Sequence, residues 1–462
     1  PMSKAGKGRG IGRRNLLAGL ALGTLAGVGG LAVTYKPLRK WWRLECQDMP
    51  VREGLGYGPL RRDPAGMLDL PEGFSYRILC RKGEPMNDGF TVPGAADGAA
   101  VFAMPDGGYR IIRNHEIAVS DVRRGRYEEP QPPAAEYLYD PACRGGTITL
   151  VLDRELRLRR KFLSLTGTER NCAGGATAWG SWISCEESAH TPASEEVYTK
   201  PHGYNFEVPA KQEGLAIPKP LKAMGRFTHE AVAFDPVTGA AYQTEDKGDS
   251  CLYKFLPERQ GDLSRGRLLA LRIDGRPGVD TSNGVGTEGG LIPLGKALPV
   301  SWVPLREPDP AQDDLRHTAR ALGAATFSRG EGIVWAQGGA AFTCTDGGAS
   351  GLGQIWHYKP TGPETGLLTL LAEAEQKCRF FMPDNIAALP NGDLVMAEDN
   401  HKYTRLIGLT PGRETYPFAY YQYDTREELS GIAFSPDGSF MVVSAYGIGI
   451  TFLVTGPFIG SG

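Results

Sequence analysis

One kind of segment recurs six times along this 462-residue chain, and it constrains the fold more than any other feature. Each copy enters after a polar or charged residue, crosses a β-rich apolar run, turns on a short polar sequence and runs back. The copies are DGAAVFAMPDGGYRIIRNHE from Asp97, RNCAGGATAWGSWISCEE from Arg170, HEAVAFDPVTGAAYQTED from His229, RGEGIVWAQGGAAFTCTD from Arg329, PDNIAALPNGDLVMAED from Pro383 and ELSGIAFSPDGSFMVVS from Glu428. Asp-Gly and Asn-Gly turns between alternating apolar runs are strong hairpin signals. A unit that repeats along a chain means stacked or radial repeats rather than a count of domains by length.

The reading that follows is an all-β fold, a six-bladed β-propeller with loop insertions, whose inner strands carry the six units. Residues 45–462 would form that single domain. The spacing between unit starts, 44 residues from 384 to 428 but 101 from 230 to 331, leaves room for long loops. The 62 glycines and 34 prolines are spread between apolar runs and punctuate short strands. Helical periodicity is scarce, and there is no alternation of strands with helices.

The N-terminus reads differently. Lys4, Lys7, Arg9, Arg13 and Arg14 precede an uncharged run over 15–35, the layout of an export signal. The Arg13-Arg14 pair followed by Asn-Leu-Leu resembles a bacterial twin-arginine signal. Residues 1–44 are therefore expected to engage the twin-arginine export machinery and send the protein to the periplasm or beyond. KPLRKWWR follows without a good cleavage site, so an N-terminal membrane anchor is a second reading of the same segment.

Charge excludes one class of partner. The 51 Lys and Arg nearly balance 53 Asp and Glu, giving no field for nucleic acid. Eight cysteines occur without a CxxC pair, which argues against a zinc ribbon or a dithiol redox site. No GxSxG, P-loop or HExxH motif is present.

What remains is the chemistry of the unit ends. Asp97, Cys172, Glu230, Glu331, Asp384 and Glu428 stand at or next to unit starts, and five units end in acids. Brought together around a channel, these groups would repel unless cations offset them. Oxygen-rich shells suit Ca²⁺, Mg²⁺ or Mn²⁺, whereas the thiolate of Cys172 pulls toward iron or zinc. Any one of these acids, taken alone, is as well explained as a strand cap. His115 and His229, each directly before a glutamate, read as packing or supporting residues rather than ligands. Cys185, Trp179 and Trp182 read as core or inter-blade packing.

RNCAGGATAWGSWISCEE, GRFTHEAVAFDP, FSRGEGIVW, GQIWHYKP, PDNIAALPNGDLVMAED and ELSGIAFSPDGSFMVVSAYGIGITFLVTGPF together resemble the PhoX-type alkaline phosphatases, in the shorter branch of that family. The resemblance spans about residues 90 to 458. It implies an exported, metal-dependent hydrolase of phosphomonoesters with a central cluster of iron and calcium. By that resemblance Cys172 would bind iron, with Glu230 and Glu331 as glutamate ligands and Glu116, Glu187, Asp384 and Glu428 in matching motifs. A cation must also meet the phosphate, and Arg170, Lys254 and Arg320 are the candidates. The protein would be a monomer acting on small phosphate esters. The competing readings are a calcium-dependent lactonase and a non-catalytic metal-binding module of the envelope, since propellers host unrelated functions.

Overall fold

In each of the six units the turn residues and the period-two pattern produce a hairpin whose first strand is largely buried, least so in the second unit. In chain order these inner strands are Ala96–Ala103, Asn171–Ala176, His229–Phe234, Gly330–Ala336, Pro383–Ala388 and Leu429–Phe434. A computed structural model describes residues 55–123, 133–284, 287, 291–374, 379–399, 404–422 and 428–458. All belong to one compact unit, Met49–Gly462. The expected signal over 1–44 lies outside these residues, as do Cys46 and Cys378. No helix among the described residues is long and apolar enough to cross a membrane.

The architecture is all-β and propeller-like. Each inner strand packs against the next in chain order, and the sixth packs against the first, so the ring is closed. Small residues make this close approach possible. A Cβ on Gly332 would stand 2.7 Å from the Asp384 carbonyl oxygen, and one on Gly175 1.8 Å from that of Val232. Any side chain at these glycines would push two inner strands apart.

The expectation of six separate sheets is corrected. The described residues form four sheets of four or more strands and a fifth of three, Asn171–Ala176 with Ser181–Glu186 and Asn205–Pro209. The third and fourth units share one nine-stranded sheet, because Ala297–Leu305 pairs antiparallel with Thr365–Glu373. Loop insertions thus contribute pairing strands that the hairpin pattern did not announce.

The first sheet holds Ala96–Ala103, Tyr109–His115, Gly145–Leu152 and Leu158–Thr168. In the last, Leu429–Phe434, Phe440–Ala445 and Ile450–Thr455 are completed by Ser75–Arg81 from the other end of the described chain. Apolar clusters fill the space between neighbouring sheets, one of them joining residues of the third and fourth units around Trp356, Tyr358 and Tyr242. Along the axis the ring encloses a cavity of ≈ 330 Å³ lined by Ala99, Ala173, Ala231, Ile333, Ile386 and Ile432. Small and aliphatic side chains line it with backbone polar groups between them, and the charged residues stand at the strand entrances.

Candidate metal centre

Every inner strand contains a β-bulge near its entrance, and in five of them the bulge carries a potential metal ligand. The ladder passes from Ala96↔His115 to Ala99↔Arg113, so Asp97 and Gly98 oppose Asn114 alone. The same two-against-one step isolates Cys172, Glu230, Glu331 and Asp384 in the next four strands. A bulge bends the strand and re-aims a side chain out of the regular alternation. Here it turns five donors toward the axis.

The residue opposite a bulge fastens the next one. Asn114 donates to the carbonyls of Cys172 at 3.1 Å and Ala173 at 2.7 Å, and Thr343 donates to the Asp384 carbonyl at 2.7 Å. Thr244 does the same for Glu331. The donor ring is therefore held from behind by buried hydrogen bonds.

A second set of acids stands where the return strands end. The amide of Glu116 donates to Ala95 O, that of Glu187 to Arg170 O and that of Asp399 to Met382 O. Asp246 follows the third return strand in the same way. Ala95, Arg170, Arg329 and Met382 each stand two residues before a bulged donor, with φ of 47°, 47°, 53° and 46°. Left-handed backbone at non-glycine residues is sparsely populated and costs about 1–3 kcal/mol each. Its repetition at equivalent places marks the strand entrances as a constrained device.

The ligand atoms converge. Asp97, Glu116 and Cys172 form one group whose donor atoms lie within 4.8 Å of one another; Cys172, Glu187 and Glu230 form a second, and Glu230, Glu331 and Asp384 a third. The Cys172 thiol lies 3.2 Å from Glu230 Oε1 and 3.5 Å from Asp97 Oδ2. Asp97 Oδ1 and Glu230 Oε2 are buried without a hydrogen-bond partner. Burial, then the neighbouring carboxylates, push Asp97, Glu230 and Glu331 well above the usual carboxylate range, and Asp384 up to about 7. Burial and the adjacent acids likewise raise the Cys172 thiol. A site that pushes Asp97, Glu230, Glu331, Asp384 and Cys172 toward their protonated forms, and leaves two oxygens unpartnered, fits cations.

Two arginines face this charge. Arg170 binds Glu116 at 2.8 Å through Nε and Glu187 at 2.6 Å through a terminal nitrogen. Arg329 grips Asp246 with both arms of its guanidinium, at 2.8 and 3.0 Å, and also reaches Glu331. Tyr446 donates to Glu116 at 2.7 Å.

Of the residues expected from sequence, Cys172, Glu230, Glu331, Asp384, Glu116, Glu187 and Arg170 are brought together. Glu428 is near, its carboxyl raised by burial and by Asp384 and Asp399, but its register differs. Its carbonyl accepts the Tyr446 amide, which aligns Glu428 with Arg170 and Arg329 rather than with Cys172. The bulge of the sixth strand follows Ser430 and holds Gly431, so this strand offers no acid at the donor position.

Lys254 and Arg320 do not join the centre. Lys254 donates to Pro363 O and lies over the Tyr242 and Trp302 rings, and Arg320 pairs with Asp249. Asp97, expected at a unit start though not by the family resemblance, joins the centre, and three further residues there were not among those expected: Asp246, Asp399 and Arg329. Arg329 had a visible signal, because it precedes Glu331 by two residues just as Arg170 precedes Cys172. His115 and His229 are packing residues, hydrogen-bonded to Gly94 O and Gly225 O. Cys185 is buried in the core, and Trp182 packs between sheets with its indole donating to Asn114.

Fold and centre together define a propeller-like protein built around a site for metal ions. The family model of alkaline phosphatase PhoX matches residues 55–162 and 154–449, and the chain belongs to that family. It is accordingly a metal-dependent phosphatase, a phosphoric monoester hydrolase. Among solved structures the chain is similar to Pseudomonas fluorescens PhoX in complex with vanadate, a transition state analogue. That match has 17% identity and a TM-score of 0.63, and covers 85% of this chain and 96% of that one. A gluconolactonase from Xanthomonas campestris is similar at 9% identity and a TM-score of 0.43, covering 87% of this chain and 99% of the other. A comparison with curated proteins found no match.

Proposed function

We propose that the centre holds iron and calcium, that it hydrolyses small phosphate esters, and that Arg170 and Arg329 receive the phosphoryl group. The observation behind this reading is the pair of buried, unpartnered oxygens, Asp97 Oδ1 and Glu230 Oε2, both on carboxylates that touch the Cys172 thiol. A thiolate among carboxylates favours iron over the alkaline earths, while the all-oxygen group of Glu230, Glu331 and Asp384 suits calcium. Bound cations would supply Lewis-acid stabilisation of the charge that develops on the phosphoryl oxygens.

The chain's own contribution is orientation and charge. Arg170 and Arg329 sit at the strand entrances as fixed positive charges for the phosphoryl oxygens. The acids that hold them, Glu116, Glu187 and Asp246, fix the guanidinium planes before substrate arrives. Six inner strands in a closed ring support a count of six blades, with the nine-stranded sheet read as two blades joined at their outer edges. The same reading takes 45–462 as one propeller domain, a monomer exported by the twin-arginine route.

Elemental analysis of the full chain, beside assays against a panel of phosphate esters, tests this. Iron with calcium and phosphate release are expected, and Cys172→Ala should lose both iron and turnover. Retention of both in that variant would remove Cys172 from the centre. Calcium alone with lactone opening would select the lactonase reading instead.

A further inference from the structure

A second cluster of soft and hard donors lies outside the central ring. Asp140, Cys143 and His202 are fully buried, and one donor atom from each lies within 4.8 Å of the others. Asp140 and Cys143 come from the loop that enters Gly145–Leu152, and His202 from the loop that leads into Asn205–Pro209. These loops belong to the first and second units and share no sheet.

The geometry around His202 has the form of a metal-bound imidazole. Nδ1 is engaged by Glu186 Oε1 at 2.7 Å, which fixes the tautomer and leaves Nε2 facing Asp140 Oδ2 at 3.4 Å and Cys143 Sγ at 3.7 Å. The first is long for a hydrogen bond, and the second lies within the range of one to sulfur. They are close to the edges of a tetrahedron around zinc, about 3.3 Å for nitrogen to oxygen and about 3.6 Å for nitrogen to sulfur, from the usual bond lengths. A carboxylate behind the histidine, as Glu186 is here, is the common outer partner of a zinc-binding imidazole.

We propose that Asp140 Oδ2, Cys143 Sγ and His202 Nε2 hold a structural Zn²⁺ that ties these two loops together. The carboxylate of Glu169 lies against the Cys143 thiol and is itself held by the Tyr198 hydroxyl at 2.7 Å, so the protein supplies three ligands. The three donors are buried, and Cys143 gives up its thiol proton and His202 its Nε2 proton to the solvent when the ion binds. The ion would lie behind the central ring, since Glu169 precedes Arg170 and Glu186 precedes Glu187. It braces the two strand ends that present those residues without touching substrate.

The test is zinc content of the full chain, purified with zinc in the medium and desalted. About one zinc per chain is expected in the wild type and in Cys172→Ala. Cys143→Ser and Asp140→Asn should fall to background. Zinc absent from the wild type even after addition of ZnCl₂, or unchanged in Cys143→Ser, would overturn the proposal and leave His202 as an imidazolium between Asp140 and Glu186. If neither variant folds, cobalt uptake by the Cys172→Ala protein decides. A thiolate-to-cobalt charge-transfer band supports the site, and its absence sinks it.

Discussion

Glu186 and Glu187 are consecutive residues whose carboxylates serve opposite sides of one strand end. Glu186 is fully buried and accepts from His202 at 2.7 Å and from the amides of Glu169, Gly203 and Tyr204. Glu187 turns to the axis and binds Arg170. Substituting each by glutamine should separate stability from turnover. Glu186→Gln breaks a buried charged network and is expected to lower unfolding free energy by about 3 kcal/mol, read from urea melts. Glu187→Gln should cost less in the melt than Glu186→Gln while kcat falls on the order of 100-fold, as for loss of one electrostatic contact in a site.

Arg329→Lys keeps the charge and loses the fork that spans both oxygens of Asp246. A drop in kcat/KM on the order of 100-fold against p-nitrophenyl phosphate is expected. Arg320→Ala serves as the control, because Arg320 pairs with Asp249 at the surface, and should change the rate less than twofold. Equal losses in the two variants would contradict the assignment.

Chelation should abolish turnover and lower the melting temperature together. Ligands at about 1,000 times their dissociation constant contribute about 4 kcal/mol of stability, so removal of the ions should be plain by calorimetry. The centre's raised carboxyls make the chelated protein less stable as pH rises, because charging them without cations meets burial and mutual repulsion. A melting temperature indifferent to chelator would argue that the acids are satisfied by protons alone.

Glu245 gives a cleaner pH signature. Burial pushes its carboxyl up to about 7 from 4.5, against the pull of Arg316. A raised carboxyl contributes fully below the unfolded value of 4.5, and that contribution is lost as pH climbs through 7. Wild-type stability should therefore decline between those limits relative to Glu245→Gln, by about 3 kcal/mol in all. Urea melts at pH 4.5, 6 and 8 would show the difference widening; a constant gap would refute it.

Gly431→Ala is expected to be among the most harmful single-atom additions. Its φ is +63°, and a Cβ there would stand 2.3 Å from the Asp97 carbonyl oxygen. A loss of about 1–3 kcal/mol from strain is expected, with reduced metal content because Asp97 is displaced. Melting and elemental analysis on the same preparation check both.

Much of this was legible before any coordinates. Hairpin turns and period-two alternation located all six inner strands, because both signals are local. The donors Cys172, Glu230, Glu331 and Asp384 stood out since they share one place in the repeat. Glu428 misled because it begins its unit in sequence, whereas the late bulge, which follows Ser430, assigns the donor place to Gly431. Register is decided by pairing across strands, which the order of residues does not carry. Lys254 failed for a similar reason. Its neighbours Tyr242, Trp302 and Pro363 are distant in sequence and draw it into a packed interior. The merged nine-stranded sheet rests on strands inside insertions, where no repeat announced them.

The pairing of Ser75–Arg81 with Ile450–Thr455 has a bearing on the timing of assembly. Contacts across nearly the whole chain are the slowest to form, and a protein emerges from the ribosome in order. The sheet that joins the two ends of the ring is therefore completed only once Ile450–Thr455 is made, and a product lacking that strand would leave Ser75–Arg81 without its partner.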